Sequence, residues 1–297
     1  MPTNTSKIAN RSSRIVCIGV RWNLLGQVGG WRQGRITHFL PHAEYLRNRG
    51  MVSILADYRV LNRHGTDARI ALSDAKSAIR YFRKDFDNGD TYAIDPSTIF
   101  AGGYSAGAVI AVHLSYIDSI SDLPTTPINV QAIINNVSPI HGLEGDAGNY
   151  GYSSDVNGVI SFAGGINDIN WIDPTDEPLV SIQGTSDLTV NYNCGPGMNN
   201  PAILTLCGSG EMHPRADNVG VLNDKLIFNG TDHNWTAFGN TNSKFIDAVN
   251  FTTNFLYPLL PCNNTTAINE MFFEKQLIQI IDILGRETVQ QKNTPQF

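Results

Sequence analysis

The chain has 297 residues, 41% of them hydrophobic and 16% charged, with a net charge of −6. That is apolar material for one large core, and too little charge for a disordered chain. No Lys/Arg block and no apolar run of transmembrane length occurs, which argues against nucleic acid and an integral membrane segment as partners.

In chain order, "RIVCIGV" (residues 14–20) predicts a buried strand. "QVGGWRQG" (27–34) is a glycine-rich loop. "ITHFLPHAEYLRNRG" has helical spacing at Phe39, Ala43 and Leu46 and stops at Gly50. "MVSILADYRV" predicts a second buried strand. "DARIALSDAKSAIRYFRKDF" predicts an amphipathic helix with Ala71, Ala75, Ala78, Ile79 and Phe82 on one face. "STIFAGGYS" predicts a strand, and residues 106–117 a helix. Residues 119–155 predict a loop-rich region. "NGVISFAG", "EPLVSIQG" and "DKLIFNG" predict three more short strands, and residues 243–260 a last helix. This alternation predicts an α/β fold with a mostly parallel sheet covered on both faces. The expected domain runs over residues 14–260, and residues 261–297 form a separate tail.

"IFAGGYSAGAVIAVHL" (99–114) holds Gly103-Tyr104-Ser105-Ala106-Gly107, a G-x-S-x-G pattern. Alone the pattern is weak. Here it lies between a predicted strand and a predicted helix, the setting of a nucleophile elbow. A sharp turn would expose the Ser105 hydroxyl, and the following helix N-terminus favours a developing oxyanion. A serine hydroxyl needs a base, and the base needs an acid. Asp187 lies three residues past the glycine ending "EPLVSIQG", and His233 three past the one ending "DKLIFNG". The order Ser105, Asp187, His233 suits this fold. Asp155, Asp168, Asp173 and Asp176 precede the strand that should present the acid, and Asp232 is too close to the histidine. His38, His42 and His113 fall in helices, and His64 precedes the serine. His141 and His213 are placed in loops, with His213 the stronger rival as base.

Together "ADYRV", "DAKSAIRYFRKD", "IDPSTIFAGGYSAGA", "SIQGTSDLTVNY" and "FNGTDHNW" resemble successive blocks of α/β-hydrolases, in particular the carboxylesterase/lipase branch. The resemblance spans residues 29–257. It implies ester hydrolysis through an acyl-enzyme, with Ser105 as nucleophile, His233 as base and Asp187 as its orienting acid, and no metal or cofactor. It also implies an oxyanion hole from the backbone of Gly29, Gly30 and Ala106. Three departures stand out. Gln27 and Val28 replace the histidine and first glycine of the usual His-Gly-Gly-Gly motif, Tyr104 stands where related groups carry an acid, and the usual early antiparallel strands are lacking. The last departure reads as an incomplete N-terminus or as a shortened sheet.

Trp31, Tyr104, Trp171 and Trp235 lie in or beside loops at the expected active edge, and Trp31, Tyr104 and Trp235 are the candidate substrate contacts. No apolar lid insertion separates serine from acid, which favours short- to medium-chain or aryl esters, small or polymeric. The alternatives are a catalytically impaired binding protein on the same fold, or a peptidase or amidase. Cys194 and Cys207 bracket a Gly/Pro/Asn loop and form either a disulfide, if the protein is exported, or two free thiols. "KQLIQIIDILGRET" resembles sorting segments of type IX secretion, which implies an extracellular enzyme. The other reading of that segment is an extra amphipathic helix, and without export the protein is cytoplasmic.

Overall fold

The computed structural model describes residues 14–20, 40–48, 51–56, 66–126, 129–201, 203–235 and 242–260. Six strands, β1 (Arg14–Val20), β2 (Met51–Ala56), β3 (Ile94–Tyr104), β4 (Val159–Phe162), β5 (Leu179–Gly184) and β8 (Asn223–Phe228), form one sheet in the order β2-β1-β3-β4-β5-β8. Every pairing in it is parallel. This is the parallel sheet that the strand–helix alternation predicts, in the α/β-hydrolase arrangement that the resemblance implies.

Strand residues alternate between two apolar layers. Ile99, Ala101, Val159 and Leu179 pack with Ala71, Ala75, Ile79 and Phe82 of α2 (Thr66–Asp87) and with α3 (Ala106–Tyr116). Phe100, Ile160, Val180 and Ile182 face the other way, onto Leu46 of α1 (Leu40–Arg47) and Phe245 and Val249 of α6 (Ser243–Leu256). A sheet buried on both faces explains why β5 has six buried residues in a row instead of a polar alternation.

Strand order reverses between β1 and β3. At such a switch point the carboxyl ends of neighbouring strands lead to opposite faces and leave a crevice. Val20 of β1 pairs with Gly103 of β3, so the carboxyl end of β1 lies level with the strand end that leads into Tyr104 and Ser105. Residues 27–31 and the tail 261–297 lie outside the described residues.

The region read as loop-rich contains a short helix, α4 (Val130–Val137), capped by the Asn129 side chain on the Ala132 N–H. The polar segment after it is tied down rather than loose. Arg80, 1% exposed in α2, donates to the carbonyls of Gly148 and Glu144 and pairs with the Glu144 carboxylate. Lys76 and the Ser154 hydroxyl also bond Glu144. Gly145 has φ +65°, and a Cβ there would meet the Ser73 hydroxyl at 2.1 Å, so the segment can lie against α2 only with glycine at that point.

Between β5 and β8 the chain adds a hairpin, β6 (Cys194–Pro196) with β7 (Thr205–Cys207), and a helix, α5 (Ser209–Val219). Cys194 and Cys207 are disulfide-bonded, which resolves the two readings of that pair. The last helix stops at Leu256 and a 3-10 turn follows, because Pro258 cannot continue the backbone ladder. Among the described residues no helix is long and apolar enough to cross a membrane.

At the amino ends of the strands, away from Ser105, a cavity of about 670 Å³ is lined in part by Lys76, Asp118, Glu144, Asp155 and Glu177. Asp118, Asp173 and Asp176 crowd there, with carboxylate oxygens within 4.8 Å of one another. Burial, then the charges of Asp118 and Asp155, push the Glu177 carboxyl up to about 7. One of its oxygens is buried without a hydrogen-bond partner. Its proton stabilises the fold at low pH. That stability is lost as pH rises through about 7, because the unfolded chain has already released the proton near 4.5. Glu177→Gln is therefore expected to be more stable than the parent at pH 8, by about 1 kcal/mol after solvent screening, and no more stable at pH 5. Thermal melts at the two pH values check this. An equal gain at both would contradict it.

Candidate active site

Ser105 stands between β3 and α3, at the helix N-cap. Its backbone is at φ 59°, ψ −125°, a conformation an L-residue adopts only when its surroundings impose it. The imposing contacts are local. Its N–H donates to the Phe162 carbonyl of β4 at 2.7 Å, and its carbonyl accepts the Val109 N–H at 3.0 Å. The sheet thus holds one side of the turn and the helix the other. Ala106 follows at the first helical position, where the N–H groups have no partner within the helix.

The other two candidates arrive from strands further along the sheet. Asp187 lies in the turn after β5, 2% exposed. Its Oδ1 accepts the N–H groups of Thr189 (2.9 Å) and Val190 (3.0 Å), which fixes the carboxylate plane. His233 lies in the turn after β8, 8% exposed. Its Nδ1 is 2.7 Å from Asp187 Oδ2, and its Nε2 is 2.7 Å from Ser105 Oγ. With Nδ1–H donating to the carboxylate, Nε2 is left as acceptor for the serine proton.

The two turns are also joined to each other. The Ser186 N–H donates to the Thr231 carbonyl, and the Gly230 N–H to Thr185 Oγ1. Gly184 makes this close approach possible, since a Cβ there would stand 2.2 Å from the Thr231 carbonyl oxygen. Thr185 and Ser186 did not stand out in the sequence. Their signal is the small, polar "GTS" run before the aspartate.

Gln183, fully buried in β5, supports the acid turn from behind. Its Nε2 donates to the Val190 carbonyl, and its Oε1 accepts the Ser209 N–H. Sequence reasoning also missed this residue, because a glutamine inside an apolar strand has no distinctive pattern.

The rival histidines are occupied elsewhere. His213 lies in α5, not in a loop, with Nε2 on Ser181 Oγ and Nδ1 on Asn223 Oδ1. Burial, against the Asn223 hydrogen bond, holds it down at about 4. Its helix was not legible, since "SGEMHPRADNV" carries a glycine and Pro214. Burial of Met212 and Ala216 on one face outweighs the poor propensity. His42 of α1 is wedged between Phe162 and Phe245, and burial lowers it to about 3. His113 bonds the Val109 carbonyl and Asn167. His141 stacks on Tyr150 at 3.6 Å. His38 and His64 lie outside the described residues.

The aromatic candidates divide. Trp31, with Gly29 and Gly30, lies outside the described residues. Trp235 is 3% exposed and packs against Phe162, Phe228 and Tyr104, so it is a core residue beneath the site and not a wall of an open pocket. Trp171 donates to the Asp122 carbonyl and packs on His113. Tyr104 turns its hydroxyl onto the His233 carbonyl at 2.6 Å and not toward substrate space.

The rim on the acid side is uncharged: residues 188–208 contain no Asp, Glu, Lys, Arg or His. Leu188, next to Asp187, is 62% exposed, and Leu204 on the hairpin 61%.

No curated protein matches the chain. The family model BD-FAE matches residues 27–200. Among solved structures, esterase 2 (Est2) of the planctomycete Thermogutta terrifontis with propionate bound is 21% identical, covers 86% of each chain and gives a TM-score of 0.60. The same enzyme with butyrate bound is 22% identical over 84% of each chain, with a TM-score of 0.59, and phosphoramylated by tabun it gives 22%, 84% and 0.62. The chain belongs to the BD-FAE family and has the α/β-hydrolase fold of these esterase structures.

Proposed function

We propose that the protein is a serine carboxylesterase acting on short- to medium-chain or aryl esters. The observation that carries this reading is the continuous hydrogen-bonded line from Ser105 Oγ through the His233 imidazole to the buried Asp187 carboxylate. In this mechanism Ser105 Oγ attacks the ester carbonyl carbon while His233 Nε2 takes its proton. The Asp187 carboxylate stabilises the imidazolium without itself being protonated. The oxyanion is received by the Ala106 N–H at the start of α3, together with N–H groups of Gly29 and Gly30 as the family resemblance implies. Imidazolium then protonates the departing alkoxide, leaving an acyl-serine. Water, deprotonated by His233, attacks that acyl group, the acyl–Oγ bond breaks, and the imidazolium returns its proton to Ser105 Oγ as the acid leaves. This needs only the chain's own residues.

The same hydrogen-bonded line argues against the impaired binding protein, since binding alone calls for no base aligned on the serine hydroxyl and backed by a buried carboxylate. Propionate and butyrate, the acids bound in Est2, are of the acyl length proposed here. An exported enzyme fits the Cys194–Cys207 disulfide.

Turnover of p-nitrophenyl acetate and butyrate, with stoichiometric fluorophosphonate labelling of Ser105, tests the reading. A folded protein that neither turns over nor labels would refute it. Amide analogues run in parallel separate esterase from amidase.

The uncharged rim adds a specificity. A carboxylate on the acyl chain would meet no counter-charge along residues 188–208. p-Nitrophenyl butyrate is expected to exceed the p-nitrophenyl half-ester of glutaric acid about tenfold or more in kcat/KM. Equal values would contradict this.

A further inference from the structure

We propose that Tyr104 is a positioning residue for the general base, its hydroxyl pinning the backbone of His233 to the strand end that carries Ser105. This rests on the esterase reading of the site and adds to it a residue that holds the machinery in register.

The reason is one of distance. β3 and β8 are separated by β4 and β5, three inter-strand spacings, or roughly 14 Å at the strand ends. The segment bearing His233 leaves β8 and must reach back across two strands to Ser105. Its bonds to Thr185 and Ser186 hold it to the Asp187 turn, on the far side. They set the histidine relative to its acid but not to its nucleophile. The Nε2–Oγ hydrogen bond spans that gap, but it is broken and remade in each half-reaction and cannot act as the fastener.

Tyr104 closes the gap with a bond that takes no part in the chemistry. It is the neighbour of Ser105, so any shift of the nucleophile's turn carries the phenol with it. The hydroxyl donates to the His233 carbonyl at 2.6 Å. The ring lies 5.2 Å from the imidazole at 33°, with Trp235 edge-on at 6.4 Å on another side. The phenol is thus supported on a buried indole and faces the histidine both through its ring and through its oxygen. When the imidazolium releases Ser105 Oγ and turns to the leaving group, this bond keeps the base at the strand end. The position just before the serine in G-x-S-x-G then has a task of its own, distinct from substrate contact.

Tyr104→Phe keeps the ring and removes only the hydroxyl. On p-nitrophenyl butyrate it is expected to lower kcat about five- to tenfold with KM within about twofold. The rate of inactivation by a fluorophosphonate should fall by the same factor, and the melting temperature should stay within about 2 °C of the parent. Tyr104→Leu, which also removes the ring, should lower kcat further. An unchanged kcat for Tyr104→Phe overturns the proposal. So does a rise in KM at constant kcat, which would place Tyr104 against substrate, or a loss of kcat matched by a fall in melting temperature of about 5 °C or more. The parent protein and Ser105→Ala are assayed alongside. Absence of any Ser105-dependent turnover in the parent removes the esterase reading and this proposal with it. Normal parent turnover with an unaffected Tyr104→Phe removes this proposal alone.

Discussion

Ser105→Ala is expected to lower kcat on p-nitrophenyl butyrate by on the order of 10⁴-fold or more and to abolish fluorophosphonate labelling, with the fold intact. The size of the loss follows from the route. Without Oγ there is no acyl-enzyme, and His233 has only water to activate, held by nothing in particular. The residual rate would come from the oxyanion donors and from binding. The structural cost is small, because the turn is held by backbone bonds of Ser105 to Phe162 and Val109 that alanine retains. The variant should therefore keep its melting temperature within a few degrees. A variant with more than about a hundredth of parental kcat would show that another residue is the nucleophile.

Asp187→Asn is expected to lower kcat by about 10²- to 10⁴-fold while leaving the turn in place. An asparagine carbonyl can still accept the Thr189 and Val190 N–H groups, as Oδ1 does now. Its amide then faces His233 Nδ1 as a donor. The imidazole must accept there, so Nε2 carries the hydrogen and has no lone pair for the serine proton. The loss is one of tautomer and of imidazolium stabilisation, not of geometry. Asp187→Ala should add instability, because the buried Val190 N–H and the part-buried Thr189 N–H lose their acceptor, at about 1–3 kcal/mol for a buried group. Steady-state kinetics with melts on both variants distinguish the two effects. Equal melting temperatures for the two would contradict the turn-holding role.

What was legible in the sequence was whatever repeats a local rule. Strands buried on both faces read as short apolar runs, and turns at their carboxyl ends read as glycine followed by a polar cluster. Ser105, Asp187 and His233 each occupy such a turn, so their candidacy could be read without coordinates. The direction of Tyr104 could not, because it depends on where a segment beginning 125 residues later returns to the sheet. The order in residues 141–155 was hidden for the same reason. Its glycines and serines read as slack until Arg80, which lies 64 residues before Glu144, is placed beneath them. Helix α5 was missed through a different conflict. Pro214 and Gly210 argue locally against a helix, and only the burial of Met212, His213 and Ala216 against the sheet reverses that balance.

The hairpin after the acid turn has a consequence for how such a protein can diverge. Its two strands are closed on each other by the Cys194–Cys207 bond, and its exposed residues carry no charge that the rest of the fold must answer. The Asp187 carboxylate draws its direct support from Thr189 and Val190, with Gln183 behind them, all outside the bridged segment, and that segment is tied to the same turn through the Met198 N–H on the Thr189 carbonyl. The rim is thus a cassette. Exposed residues at its tip, Leu204 among them, can be exchanged or given charge while the Met198 tether and the proton-relay geometry stay put, so that selectivity and reactivity can evolve on separate schedules.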